Sequence, residues 1–230
     1  MKKKSQRSFC VAAYLLAVFA FWTLLVRFVD LQPIGPYGSS VGFATLNGYV
    51  HETLGVHMTL YTVTDWLGLV PFAVAAAFAL LGLVQWIKRK SFFRVDCSLL
   101  SLGLFYVAVI AAYLFFEYAV VNYRPVLING YLEASYPSST TMLVMCVMPT
   151  AAMQLRARIK NAWFRRLMIV LITVFTAFMV IGRLVSGVHW MTDIIGGATL
   201  SAGLVAVYHG LEKMIFHRKT ESVPFQNKRN

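Results

Sequence analysis

A chain of 230 residues that is 59% hydrophobic, with a mean hydropathy of +0.67, has too little polar surface to enclose its own core in water. Its formal net charge of +12 would suit nucleic acid. The basic residues, however, fall in clusters between apolar runs of membrane-spanning length, which excludes that partner and predicts a lipid bilayer instead.

Lys2, Lys3, Lys4 and Arg7 precede an apolar run over 8–29 with no small-residue cleavage site, the pattern of an uncleaved signal anchor. Cys10, Cys97 and Cys146 sit in or beside apolar runs without paired or metal-ligand spacing, so neither a disulfide nor a metal site is expected of them. Residues 30–58 carry Pro33, Gly35, Pro36 and Gly38, then Asn47, His51, Glu52 and His57, and predict a loop with a partly amphipathic portion at the membrane interface. A second span is expected over 61–87, marked by Asp65 and Trp66 at its outer end and Trp86 at its inner end. Lys88, Arg89, Lys90 and Arg94 follow it.

The third span, 97–118, ends at Glu117. After the loop from Asn122 to Tyr136, Pro137-Ser138-Ser139-Thr140-Thr141 gives a helix-start signal, so the fourth span begins near 137. Pro149 is expected to kink it, and it leaves through Arg156, Arg158 and Lys160. Arg165 and Arg166 open the fifth span, which ends in a polar island over 182–193, and a sixth span covers about 190–212. Lys213 to Asn230 is basic and expected to be disordered. The expectation is one all-α, polytopic domain over 1–220 with six transmembrane helices, followed by a basic tail over 221–230.

Of the 21 Lys and Arg residues, 18 fall in the N-terminus, the 88–94 loop, the 156–166 loop and the C-terminal tail. The positive-inside rule makes those segments, and both termini, cytoplasmic. Arg27 can snorkel at the outer end of the first helix, whereas Arg124 and Arg183 need a reason to lie outside. Six of the nine acidic residues, Asp30, Glu52, Asp65, Glu117, Glu133 and Asp193, lie on or near the same outer side. The expected location is a plasma membrane of bacterial type with an extracytoplasmic site.

Three segments meet at that outer boundary. On a helix, His189 and Asp193 share one face, so the carboxylate can hold one imidazole nitrogen and leave the other free to attack. Arg183 precedes them across a turn at Ser186-Gly187. A helix N-terminus at Ser138, Ser139 and Thr140 is an anion site in its own right, and Arg124 with Arg183 would make it a phosphate site. A guanidinium pair, an imidazole and a carboxylate are the parts of a phosphoryl-transfer site.

Together these segments resemble the type 2 phosphatidic acid phosphatase and vanadium haloperoxidase superfamily, in its membrane lipid phosphatase branch. That family carries K-x6-R-P, P-S-G-H and S-R-x5-H-x3-D. The third motif stands here as Gly182-Arg183, five residues, His189, three residues and Asp193. The first stands as Glu117, six residues and Arg124-Pro125, and the second as Pro137-Ser138-Ser139-Thr140. The resemblance implies a helical-bundle phosphatase core that needs no cofactor. His189 would be the nucleophile that forms a phosphohistidine, and Asp193 would orient it. Arg124, Arg183 and Ser138 with its neighbouring backbone would hold the phosphoryl oxygens of a membrane lipid phosphate.

Two positions depart from the pattern: Glu117 stands where the family has its phosphate-binding Lys, and Thr140 where it has the His that protonates the leaving group. A positioned general acid contributes about 10² to 10⁴ in rate. Its loss matters most when the leaving group is an alkoxide, whose conjugate acid has a pKa near that of water, about 16, and least for a phosphate, whose second pKa is about 6. That favours a polyprenyl diphosphate over phosphatidic acid, unless Glu133, Glu117, His51 or His57 supplies the proton. Glu117 beside a phosphate dianion must be protonated, pair with Arg124 or Arg183, or meet a cationic part of the substrate. A transferase acting on a zwitterionic phospholipid headgroup, a catalytically degenerate relative and a lipid transporter are the alternatives.

Overall fold

The computed structural model describes the backbone from Lys2 to Glu221 and side chains from Ser5 to Ile215. Eight α-helices make up the fold among the described residues: α1 (Lys2–Phe28), α2 (Ala44–Leu54), α3 (Met58–Leu67), α4 (Leu69–Arg89), α5 (Cys97–Tyr118), α6 (Ser139–Arg158), α7 (Ala162–Val185) and α8 (Met191–Glu221). Extended backbone is limited to isolated antiparallel bridges such as Tyr123 with Ala134.

Five stretches are long and apolar enough to cross a membrane: 5–28, 58–89, 97–118, 162–185 and 191–215. The fourth predicted span falls short of that standard, although its helix, α6, forms where the sequence places it. Ten of its twenty residues are buried, among them Thr141, Thr150 and Gln154. It is the interior helix of the bundle and contacts α4, α5, α7 and α8. A helix surrounded by protein can carry polar groups that a lipid-facing helix cannot, and this accounts for its low hydropathy. The helix runs through Pro149 without interruption.

Three further boundaries differ from expectation. The second span is two helices, α3 and α4, meeting at Gly68, whose N–H donates to the carbonyls of Thr64 and Asp65. The 30–58 loop contains a complete helix, α2, entered from Phe43 in a left-handed conformation. The segment after Lys213, expected to be disordered, continues α8 to Glu221, and 222–230 lie outside the described residues.

The basic clusters meet at one end of the bundle. Arg89 lies 3.1 Å and Arg158 3.9 Å from Asp96, and Lys213 donates to Ser8. At the other end α8 approaches the 136–141 segment closely. A Cβ on Gly196 would stand 2.5 Å from the Tyr136 ring, and one on Gly197 3.0 Å from the Ser138 carbonyl oxygen. Glycines there let the start of α8 sit against the start of α6, which places Asp193 beside Ser138.

Candidate active site

His189 and Asp193 are held by the junction of α7 and α8. Gly187 turns the chain with φ of +70°, and a Cβ there would stand 2.1 Å from the Gly55 carbonyl oxygen, so the turn is pressed onto the end of α2. Asn47 of α2 donates to the Thr192 hydroxyl at 2.9 Å and accepts from the Thr192 N–H, fixing the start of α8. The Trp190 indole N–H donates to the Tyr123 carbonyl at 2.7 Å, tying the same turn to the loop that carries Arg124.

Asp193 is fully buried, and its carboxylate accepts from the Trp190 N–H at 2.9 Å, from Asn122 Nδ2 at 3.3 Å and from the Ser135 hydroxyl. His189 and Asp193 face each other without a direct hydrogen bond: Nδ1 lies 3.8 Å from Asp193 Oδ2. Ser135 Oγ stands between them, 3.1 Å from Nδ1. Because the Ser135 proton is given to the carboxylate, its oxygen accepts from a protonated Nδ1, which leaves the Nε2 lone pair free. Nε2 is buried and has no hydrogen-bond partner in the protein. Burial first, then the charges of Arg124 and Arg183, hold the His189 imidazole well below its ordinary pKa, so the ring is neutral.

The two arginines each have one carboxylate and spare donors. Arg183, 2% exposed, donates through Nη2 to Asp65 at 3.1 Å and to Thr140 Oγ1 at 2.7 Å, and its guanidinium lies 4.9 Å from the Tyr61 ring centroid. Arg124 Nε is 3.0 Å from Glu133 Oε2, a charge contact in which the N–H is not directed at the oxygen. Arg124 Nη1 and Arg183 Nε are buried without partners. Ser138 caps α6, its oxygen 3.5 Å from the Thr141 N–H.

The expected site residues are thus gathered, with changed duties for several. The Ser138 N–H, expected to be free, donates to the Asp193 carbonyl at 3.1 Å, so only the N–H groups of Ser139 and Thr140 in the first turn remain for an anion. Thr140 positions Arg183. Glu117 and Glu133 line a cavity of about 260 Å³ with Arg124 and Ser135. Of the histidines considered as acids, His57 bonds to the carbonyl of nearby Leu54, and His51 packs on Trp190 with ring centroids 5.4 Å apart. Among the described residues no group of three or more His, Cys, Asp or Glu side chains is arranged to hold a metal ion.

Ser135, Asn122, Asn47 and Asp65 escaped the sequence reading. Only Asp65 had a signal, as an acidic residue at the outer end of an apolar run. Ser135 and Asn122 come close to the His–Asp pair through the loop's folding and not through helical spacing.

Fold and site define a helical, membrane-embedded protein with a buried guanidinium pair facing a neutral imidazole. Residues 105–215 match the model of the PAP2 superfamily. It is also similar to the crystal structure of a transmembrane PAP2-type phosphatidylglycerolphosphate phosphatase from Bacillus subtilis, at 18% identity and a TM-score of 0.51, over 94% of this chain and 98% of that one. No curated protein sequence matches the chain.

Proposed function

We propose that this protein is a metal-independent phosphatase that hydrolyses a membrane lipid phosphate or diphosphate through a phosphohistidine on His189. The observation that carries this reading is the set of buried nitrogens without protein partners: His189 Nε2, Arg124 Nη1 and Arg183 Nε. A buried donor without a partner costs about 1–3 kcal/mol, more when charged; a tetrahedral phosphoryl dianion accepts from both arginines and sets its phosphorus, not an oxygen, against the Nε2 lone pair. The PAP2 membrane phosphatase fold points the same way.

In the first step Nε2 bonds to phosphorus as the bond from phosphorus to the leaving oxygen breaks. The positive charge that develops on the imidazole is met by Asp193 through Ser135, while Arg124, Arg183 and the N–H groups of Ser139 and Thr140 hold the phosphoryl oxygens. Water then breaks the N–P bond, releasing phosphate and a neutral imidazole. Six crossings, α6 completing the five long spans, put both termini in the cytoplasm and the site at the extracytoplasmic face. The gathering of the basic clusters at the opposite end supports that orientation.

The test is phosphate release by detergent-purified protein from a panel of lipid mono- and diphosphates. Turnover of at least one class is expected and should vanish in His189→Ala, with an acid-labile phosphoenzyme trapped in wild type. Full activity in His189→Ala, or no release from any lipid, removes the reading.

A further inference from the structure

The cavity beside the anion site has the wrong charge for a second phosphate. It opens between the last turn of α5 and the start of α6, with Tyr113, Glu117, Arg124, Glu133, Ser135 and Ser139 on its walls. Glu133 already lies against Arg124, whereas Glu117 makes no ion pair among the described residues. Two carboxylates and one guanidinium leave the cavity with a net negative charge. Arg124 is also shared with the anion site: its side chain is only 10% exposed, and its Nη1 has no partner. One wall of the cavity therefore asks for an anion and the adjoining walls for a cation, a short distance apart.

We propose that the substrate is a lipid phosphate monoester carrying a protonated amine a short alkyl linker from its ester oxygen, with Glu117 and Glu133 holding the ammonium. This rests on the phosphatase reading above. Such a group fits the site's chemistry twice. Its charge offsets the repulsion between Glu117 and the phosphoryl dianion. Its electron withdrawal also lowers the basicity of the leaving oxygen in a site where Thr140 is bound to Arg183 and offers no titratable proton. When the ester bond breaks, the leaving oxygen takes a proton from water or from the neighbouring ammonium, and the product is an amino alcohol. A diphosphate would set its second phosphate against the two carboxylates.

The test compares a long-chain 2-aminoalkyl phosphate, its N-acetylated form and a polyprenyl diphosphate, using full-length protein in detergent. Wild type should favour the free amine over the amide by about tenfold or more in kcat/KM, the scale of one hydrogen bond to a charged group. Glu117→Gln should collapse that ratio chiefly through KM, while Glu117→Asp retains part of it. Binding of the matching non-hydrolysable phosphonates, measured calorimetrically, should show the same preference. Equal binding and turnover of amine and amide, or preference for the diphosphate, overturns the inference while leaving the phosphatase reading intact. Selective binding of the amine phosphonate without turnover of any lipid supports the cavity assignment and defeats the phosphatase reading instead.

Discussion

Replacing Ser135 by alanine tests whether the histidine and the aspartate communicate through a hydroxyl. In the structure Ser135 is 3% exposed, accepts from His189 Nδ1 at 3.1 Å and donates to Asp193. Without the hydroxyl, the imidazole faces a carboxylate oxygen at 3.8 Å, beyond hydrogen-bond reach. A hydrogen bond to a charged group contributes about 1.5–3 kcal/mol. This one strengthens as the imidazole gains charge, so its loss falls on the transition state and should lower kcat by roughly 10- to 100-fold. Steady-state phosphate release across substrate concentrations separates kcat from KM, and thermal unfolding in detergent checks that the fold survives. Asp193 keeps its bonds from the Trp190 N–H and Asn122, so unfolding should shift only modestly. Unchanged kcat, or a loss confined to KM, would refute the relay.

Because His189 is held well below the ordinary 6.5, its imidazole, the proposed nucleophile, stays neutral at pH values where a free imidazole is charged. The acid limb of kcat/KM should therefore lie below 6.5, and a limb at or above that value contradicts the assignment. The same depression means that the unfolded chain binds the extra proton first, so the contribution of His189 to stability is present above 6.5 and declines as pH falls below it. Asp65→Ala should destabilise the protein by about 1–2 kcal/mol and lower kcat/KM, because Arg183 loses the carboxylate it is paired with. The effect is kept small by solvent around Asp65, whose side chain is 57% exposed; an unchanged melting temperature together with unchanged kinetics would count against that role. In a background lacking Cys10 and Cys97, a cysteine at Tyr131 should react in intact cells with a membrane-impermeant maleimide and one at Phe93 should not. The reverse pattern inverts the topology.

The long apolar spans were legible because lipid imposes a composition that sequence reports directly, and α5 was read to its residue limits. Helix α6 was legible at its two ends, from Pro137 and Ser138 at the start and Arg156, Arg158 and Lys160 at the exit, but not as an interior helix. Its interior position depends on neighbours that surround it, and these relax the hydropathy rule by which a span is recognised. The break at Gly68 was hidden because both halves are apolar, and its consequence is that α3 turns Asp65 toward Arg183. Arg124, Arg183, His189 and Asp193 were readable because their chemistry is rare at a membrane boundary. Ser135 and Asn122 were not, since a serine and an asparagine in a loop have too many ordinary reasons to be there. Their meaning comes from tertiary contacts with Asp193, 58 and 71 residues away.

On the proposed phosphatase reading, the electrostatic arrangement lets the site be buried and still receive an anion. Two guanidiniums near a neutral imidazole would repel each other if left bare, yet a carboxylate that fully engaged each one would compete with the substrate. The structure takes an intermediate course. Asp65 and Glu133, both partly exposed at 57% and 40% of their side chains, hold one edge of each arginine and leave Arg183 Nε and Arg124 Nη1 directed elsewhere. Solvent around the carboxylates weakens their hold, whereas a dianion inside the site meets both arginines in a drier environment where the attraction is stronger. The neutral imidazole keeps its lone pair because the same cations that attract the phosphate discourage its protonation. Binding therefore reverses the influence on His189: once the dianion is in place, imidazolium character is favoured. The acid limb of kcat should accordingly lie at higher pH than that of kcat/KM, a separation that a site without coupling between the arginines and His189 would not show.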